Sequence, residues 1–177
     1  LLGSIHQERR MARAQGHIAQ AHALAARGEL EAAVRQYRAA LALERGHVEA
    51  EQALALTLLS LGRLSEAESY LSELLSRDPT SGPLNRGMAR ILASRGDEAG
   101  TRAFYQRAIY GQWPDEQPTG RMDTRFELLE YLRALQADEE VLAELLRASI
   151  LSHKHTTDGT EARAKPRKLV PLWPRDG

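Results

Sequence analysis

Apolar residues recur at spacings of three and four along most of the chain, the pattern of helices with one buried face. Over residues 4–26 the larger apolar positions are Ile5, Met11, Ile18 and Leu24, set among Ala, Gln, Arg and His with Gly16 as the only internal glycine. One long helix or two abutting ones are predicted there. Leu30, Ala33, Val34, Tyr37, Ala40 and Leu41 form one face of a second helix, which Arg45-Gly46 closes because glycine takes the left-handed conformation that ends helices. The pair then returns: Leu54, Ala55 and Leu58 over residues 48–61, followed by Leu64, Ala67, Leu71, Leu74 and Leu75 over 64–76, with Asp78-Pro79 as the stop. A third pair covers 84–94 and 97–110. Gly28, Gly62 and Gly96 stand 34 residues apart between the partners of each pair. Only a tight helical hairpin fits so short a connection, and a fixed period in this range marks stacked repeats.

In register, the three units agree beyond their glycines. Ala21, Ala55 and Ala89 share a position, as do Leu24, Leu58 and Leu92; Ala33, Ala67 and Thr101; Tyr37, Leu71 and Tyr105; and Ala40, Leu74 and Ala108. On these residues the segment 14–115 resembles the tetratricopeptide repeat family, in units 14–47, 48–81 and 82–115 after an N-terminal helical extension, 1–13. The resemblance implies an all-α fold, a right-handed superhelix of helix-turn-helix repeats. Three departures stand out. The family's large residue early in the first helix is replaced by His17, Glu51 and Asn85; its closing proline occurs only as Pro79, with Arg45 in that place in the first unit; and Thr101 stands where alanine is usual.

After Tyr110 the period breaks. An amphipathic pair over 125–135 and 139–150 sets Leu128, Leu129, Leu132 and Leu135 against Val141, Leu142, Leu145, Leu146 and Ile150. Equating a turn at Ala137 with Gly96 gives a step of 41 and about seven inserted residues, within "YGQWPDEQPTGR". Terminal repeats need a polar outer face. Glu127, Glu130, Asp138, Glu139, Glu140 and Glu144 therefore make 116–152 a linker and C-terminal capping helix pair. The Gly, Thr, Pro and Lys content of 153–177 predicts an extended tail.

Composition narrows function by exclusion. Lys plus Arg equal Asp plus Glu at 24 each, so no global field draws the 177-residue chain to nucleic acid. The absence of cysteine excludes disulfides, cysteine-ligated zinc, iron–sulfur clusters and Cys-anchored haem. No phosphate-cradling glycine loop, Gly-x-Ser-x-Gly or His-Glu-x-x-His occurs, so neither enzyme chemistry nor a cofactor is expected and no catalytic residue is assigned. His153, His155 and Asp158 lack further ligands at helical spacing, and no metal site is assigned to them. No run approaches the roughly 18 apolar residues of a membrane helix. Because the chain opens on Leu1-Leu2, a tether upstream of Leu1 is one expectation, with Arg9, Arg10 and Arg13 near the surface and the cytoplasmic face favoured; the periplasmic side stays open.

The resemblance also implies a groove lined by the first helix of each repeat. The positions in register are Gln15, Ile18, His22 and Ala25; Glu49, Gln52, Leu56 and Leu59; and Pro83, Arg86, Arg90 and Ala93. Arg86 and Arg90, one turn apart, could receive an acidic residue of a peptide or helix by charge-assisted hydrogen bonds, or pair with carboxylates of the chain itself. The lysines and asparagines of members that clamp chaperone C-termini are matched nowhere, since Ile18, His22, Ala53, Pro83 and Gly87 occupy their places. Trp113 is expected to bury its ring at the joint between the third repeat and the terminal pair. Leu169, Val170, Leu172 and Trp173 are expected to dock on a partner, rimmed by Lys165, Arg167 and Lys168, or to fold back into the groove. The function read from these features is a non-catalytic scaffold that holds other protein subunits in a larger, membrane-associated assembly. A membrane-tethered biogenesis factor and a transient peptide-binding module are the alternatives.

Overall fold

The computed structural model describes residues 2–155 as α1 (Leu2–Ala26), α2 (Leu30–Leu43), α3 (Val48–Ser60), α4 (Leu64–Arg77), α5 (Gly82–Ser94), α6 (Glu98–Tyr110), α7 (Gly120–Ala134) and α8 (Asp138–His155). The fold is an all-α solenoid. Helices pair as hairpins α1–α2, α3–α4, α5–α6 and α7–α8, and successive hairpins meet through α2–α3, α4–α5 and α6–α7. α1 runs unbroken through Gly16, so the extension before the first repeat shares its helix.

Backbone chemistry fixes the hairpins. The carbonyls of Leu24, Leu58 and Leu92 accept from the amides of Glu29, Arg63 and Asp97 at 3.0, 2.9 and 3.0 Å. Gly28, Gly62 and Gly96 take φ of 78, 74 and 74° between them. This is the paired closure of a Schellman turn, and it ties each leucine to its glycine. At the fourth hairpin the amide of Ala137 donates to the Leu132 carbonyl at 3.0 Å, with Gln136 at φ 57°. The turn residue is therefore Gln136 and not Ala137; the step is 40 and the insertion six residues. α8 continues to His155, so residues 153–155 are helical and do not start the tail.

The departures from the family pattern become polar staples. His17 Nδ1 meets Gln36 Oε1 at 2.7 Å across α1–α2, and Arg77 pairs with Glu51 across α3–α4. Asn85 Nδ2 donates to the carbonyls of Pro79 at 3.0 Å and Ser81 at 2.8 Å, securing the entry to α5. Thr101 is fully buried, and its hydroxyl donates to the Asp97 carbonyl at 2.6 Å, which satisfies the polar atom that alanine would lack.

Two apolar cores fill the stack. The first runs from Ile18 on α1 to Ile91 on α5 and includes Tyr37, Leu54, Leu58, Leu71 and Leu74. Burial, aided by the Glu49 charge, pushes the Tyr37 phenol up to about 12. The second joins Ala89, Tyr105 and Ile109 to Leu128, Leu129, Leu132 and Val141. Trp113 marks the joint between the third repeat and the terminal pair. Its Nε1 donates to the Ala108 carbonyl at 2.8 Å, and its ring lies between the backbones of Gly82 and Gly120, where an added Cβ would come within 2.3 and 2.1 Å of it. The facing set expected for α8 is only partly realised. Val141 and Glu144 are buried, whereas Leu142, Leu145 and Leu146 remain exposed.

Candidate functional site

The exposed face of the first helices is where sequence reasoning placed a groove, and the structure divides its residues. Ile18 is 2 % exposed and belongs to the core. It is unavailable to a ligand because its helix face turns into the first core. His22 is half exposed, edge-on to Tyr37 with ring centroids 5.6 Å apart, and 3.9 Å from Glu49. Gln52, Leu56 and Leu59 are half-buried on α3; Leu59 packs against the first core.

Arg86 and Arg90 both converge on Glu127 of α7. Arg86 Nε donates to Glu127 Oε1 at 2.8 Å and Arg90 Nε to Oε2 at 2.9 Å, and the Nη2 of each also donates to Oε1. Tyr105 closes the cluster with its hydroxyl 3.5 Å from Oε2. Burial alone would raise the Glu127 carboxyl, but hydrogen bonds and charge from Arg90 and Arg86 outweigh it and hold the group below its ordinary value. The same burial disfavours the Arg90 cation, and Glu127 more than restores it. Tyr105 is pushed well up by desolvation and by the Glu127 charge. Two guanidinium groups on one carboxylate leave a net positive charge. With side-chain exposures of 21 % for Arg86 and 32 % for Arg90, that charge reaches the surface, and Phe126, the residue before Glu127 on α7, is exposed as well.

A second polar cluster lies on the other side of α7. Glu144, 1 % exposed, faces Arg125 at 3.5 Å, Arg147 at 3.0 Å and Gln106 at 3.4 Å. Buried charge of this kind persists only when paired, and here it turns an acidic position expected on the outer surface into the inner seam of α8. A cleft of about 680 Å³ opens beside the Trp113 joint, walled by Tyr110, Pro114, Arg121, Met122 and Arg125. Sequence reasoning did not find it, since its walls assemble from the end of α6, the inserted loop and helices of the last hairpin, which stands out of period with the repeats. Among the described residues no group of three or more His, Asp or Glu could hold a metal ion, and no helix is long and apolar enough to cross a membrane. Leu169, Val170, Leu172 and Trp173 lie outside the described residues.

Comparison with known proteins agrees with the helical period. The tetratricopeptide repeat family model matches residues 24–91. Human tetratricopeptide repeat protein 7B is 34 % identical over 83 residues, which is 47 % of this chain. The chain spans about 10 % of the length of that curated relative.

Proposed function

Because the chain belongs to the tetratricopeptide repeat family, whose repeats mediate protein–protein interaction, we propose that it is a non-catalytic scaffold that holds partner proteins in a larger assembly. Its first-helix face receives an acidic, partly apolar segment of a partner. The observation that carries this reading is the charge imbalance at Glu127: two arginines answer one buried carboxylate, beside exposed Phe126. Both arginine Nη1 groups lack a protein acceptor among the described residues, and each remains a donor for a carboxylate. A substitution on the rim tests the face without breaking the cluster. Phe126→Glu should repel such a segment, and partners that copurify with the full chain should dissociate about tenfold more readily, with unchanged circular dichroism. Equal retention by the variant refutes the face as the docking site.

Leu172 and Trp173 form a second contact in this reading, and replacing both by alanine should weaken partner retention while leaving helicity intact. Membrane association draws its support from Arg9, Arg10 and Arg13, which are exposed on α1 together with Ile5 and Met11. Flotation with vesicles containing anionic lipid checks it: the full chain should float, and a variant with all three arginines replaced by glutamine should not.

A further inference from the structure

Two junctions in the stack use the same pair of positions. Leu71 of α4 rests on Gly87 of α5, where an added Cβ would stand 3.1 Å from Leu71 Cδ1. One junction later, Tyr105 of α6 reaches Glu127 of α7 at 3.5 Å. Gly87 and Glu127 are equivalent once the six-residue insertion is counted, and their counterparts are Ala53 on α3 and Ala19 on α1. The counterparts of Leu71 and Tyr105 are Tyr37 on α2 and Leu145 on α8. Tyr37, Leu71 and Tyr105 are 2, 0 and 0 % exposed because the next hairpin covers them, whereas Leu145 is 42 % exposed and its neighbours Leu142 and Leu146 are 60 and 57 %. α7 adds exposed Met122 and Phe126, so five of the large exposed apolar side chains belong to the last hairpin.

At the opposite end, α1 leaves exposed the positions that in α3 and α5 cover the preceding hairpin. They are Gly16, Ala19, Gln20 and Ala23, against Ala50, Ala53, Leu54 and Thr57 on α3, of which Ala50, Leu54 and Thr57 are buried. The chain thus presents large apolar side chains at one end and a small-residue face at the other, the two halves of the contact it already makes internally. We propose that a second copy of this chain lays its α1 on α8 head to tail, with Leu145 seated on Ala19 as Leu71 is on Gly87. The contact is heterologous, so it propagates into open chains instead of closing as a twofold dimer.

The test uses the full chain in sedimentation velocity and light scattering over a range of concentrations. Wild type should grow beyond a dimer as concentration rises. Ala19→Arg and Leu145→Arg should each stay monomeric with helicity unchanged, both positions being exposed in the single chain. An equimolar mixture of the two should form dimers and nothing larger, because each retains the end the other has lost. As the chain contains no cysteine, Ala19→Cys mixed with Leu145→Cys should yield a disulfide-linked dimer on mild oxidation, and neither variant alone should favour it. A wild type that stays monomeric throughout, as it would if residues 156–177 covered α8, overturns the proposal. So does association that survives both arginine variants or fails to cross-link at these positions.

Discussion

At the scale of single residues, burial works against the Glu127 carboxylate, and Arg90 and Arg86 more than compensate. Removing a buried partner leaves the others uncompensated, which costs about 3–5 kcal/mol in a dry interior. Here both arginines reach solvent, so Glu127→Gln should destabilise by about 1–3 kcal/mol, measured by denaturant unfolding at neutral pH. The sign with pH follows from the depressed value. The folded state favours ionised Glu127, so its contribution is complete above the ordinary value of 4.5 and is lost as pH falls through the lower folded one. Wild type and Glu127→Gln should therefore converge in stability as the solution is acidified below that range; a constant gap would remove the carboxylate's charge as the cause. Arg86 and Arg90 were legible as a pair of cations one helical turn apart, but their partner was not. Glu127 lies 41 and 37 residues further on, across the insertion that breaks the period, so no fixed offset brings the three together on paper.

At the scale of elements, three of the four hairpin turns were legible because glycine takes their left-handed position. The fourth was misplaced by one residue because Gln136 takes it at φ 57°. An L residue there costs about 1–2 kcal/mol, offset in part by the unfolded-state entropy that glycine would add. Gln136→Gly should therefore stabilise the α7–α8 hairpin by about 0.5–1 kcal/mol and raise the thermal midpoint. A lower midpoint would mean that the glutamine side chain is needed. The Trp113 joint was legible as a place, since the tryptophan falls in the inserted loop, but its seat between Gly82 and Gly120 was not. Gly120→Ala would put a methyl group within 2.1 Å of the ring. It should displace the indole, cost about 1–3 kcal/mol by overpacking, and shift the emission of Trp113 in a background where Trp173 is phenylalanine. Unaltered emission would show that the loop yields without moving the ring.

At the scale of the whole molecule, the stack was legible and its end was not, for one reason. A repeated residue announces a buried position wherever the next repeat covers it, as Tyr37, Leu71 and Tyr105 do, but the charge count of the last hairpin does not say which way its charges point. Glu144 points inward to Arg125 and Arg147, and three leucines of α8 point out. The same one-dimensional logic predicts what a break in the middle does. Ala67 is 0 % exposed on α4, in the first core, which extends from α1 to α5. Ala67→Arg must fit a long side chain into that contact, costing about 1–3 kcal/mol by overpacking, with a further cost for a buried unpaired charge. The second core draws its buried residues from α5–α8 and shares none of them with the first. In a stack where each repeat contacts only its neighbours, α1–α4 should lose amide-exchange protection while Tyr105, Ile109 and Leu128 keep theirs. Thermal unfolding should then separate into two transitions. A single transition at the wild-type midpoint would place Ala67 outside the helix–helix contact; uniform loss of protection would make the two cores one cooperative unit.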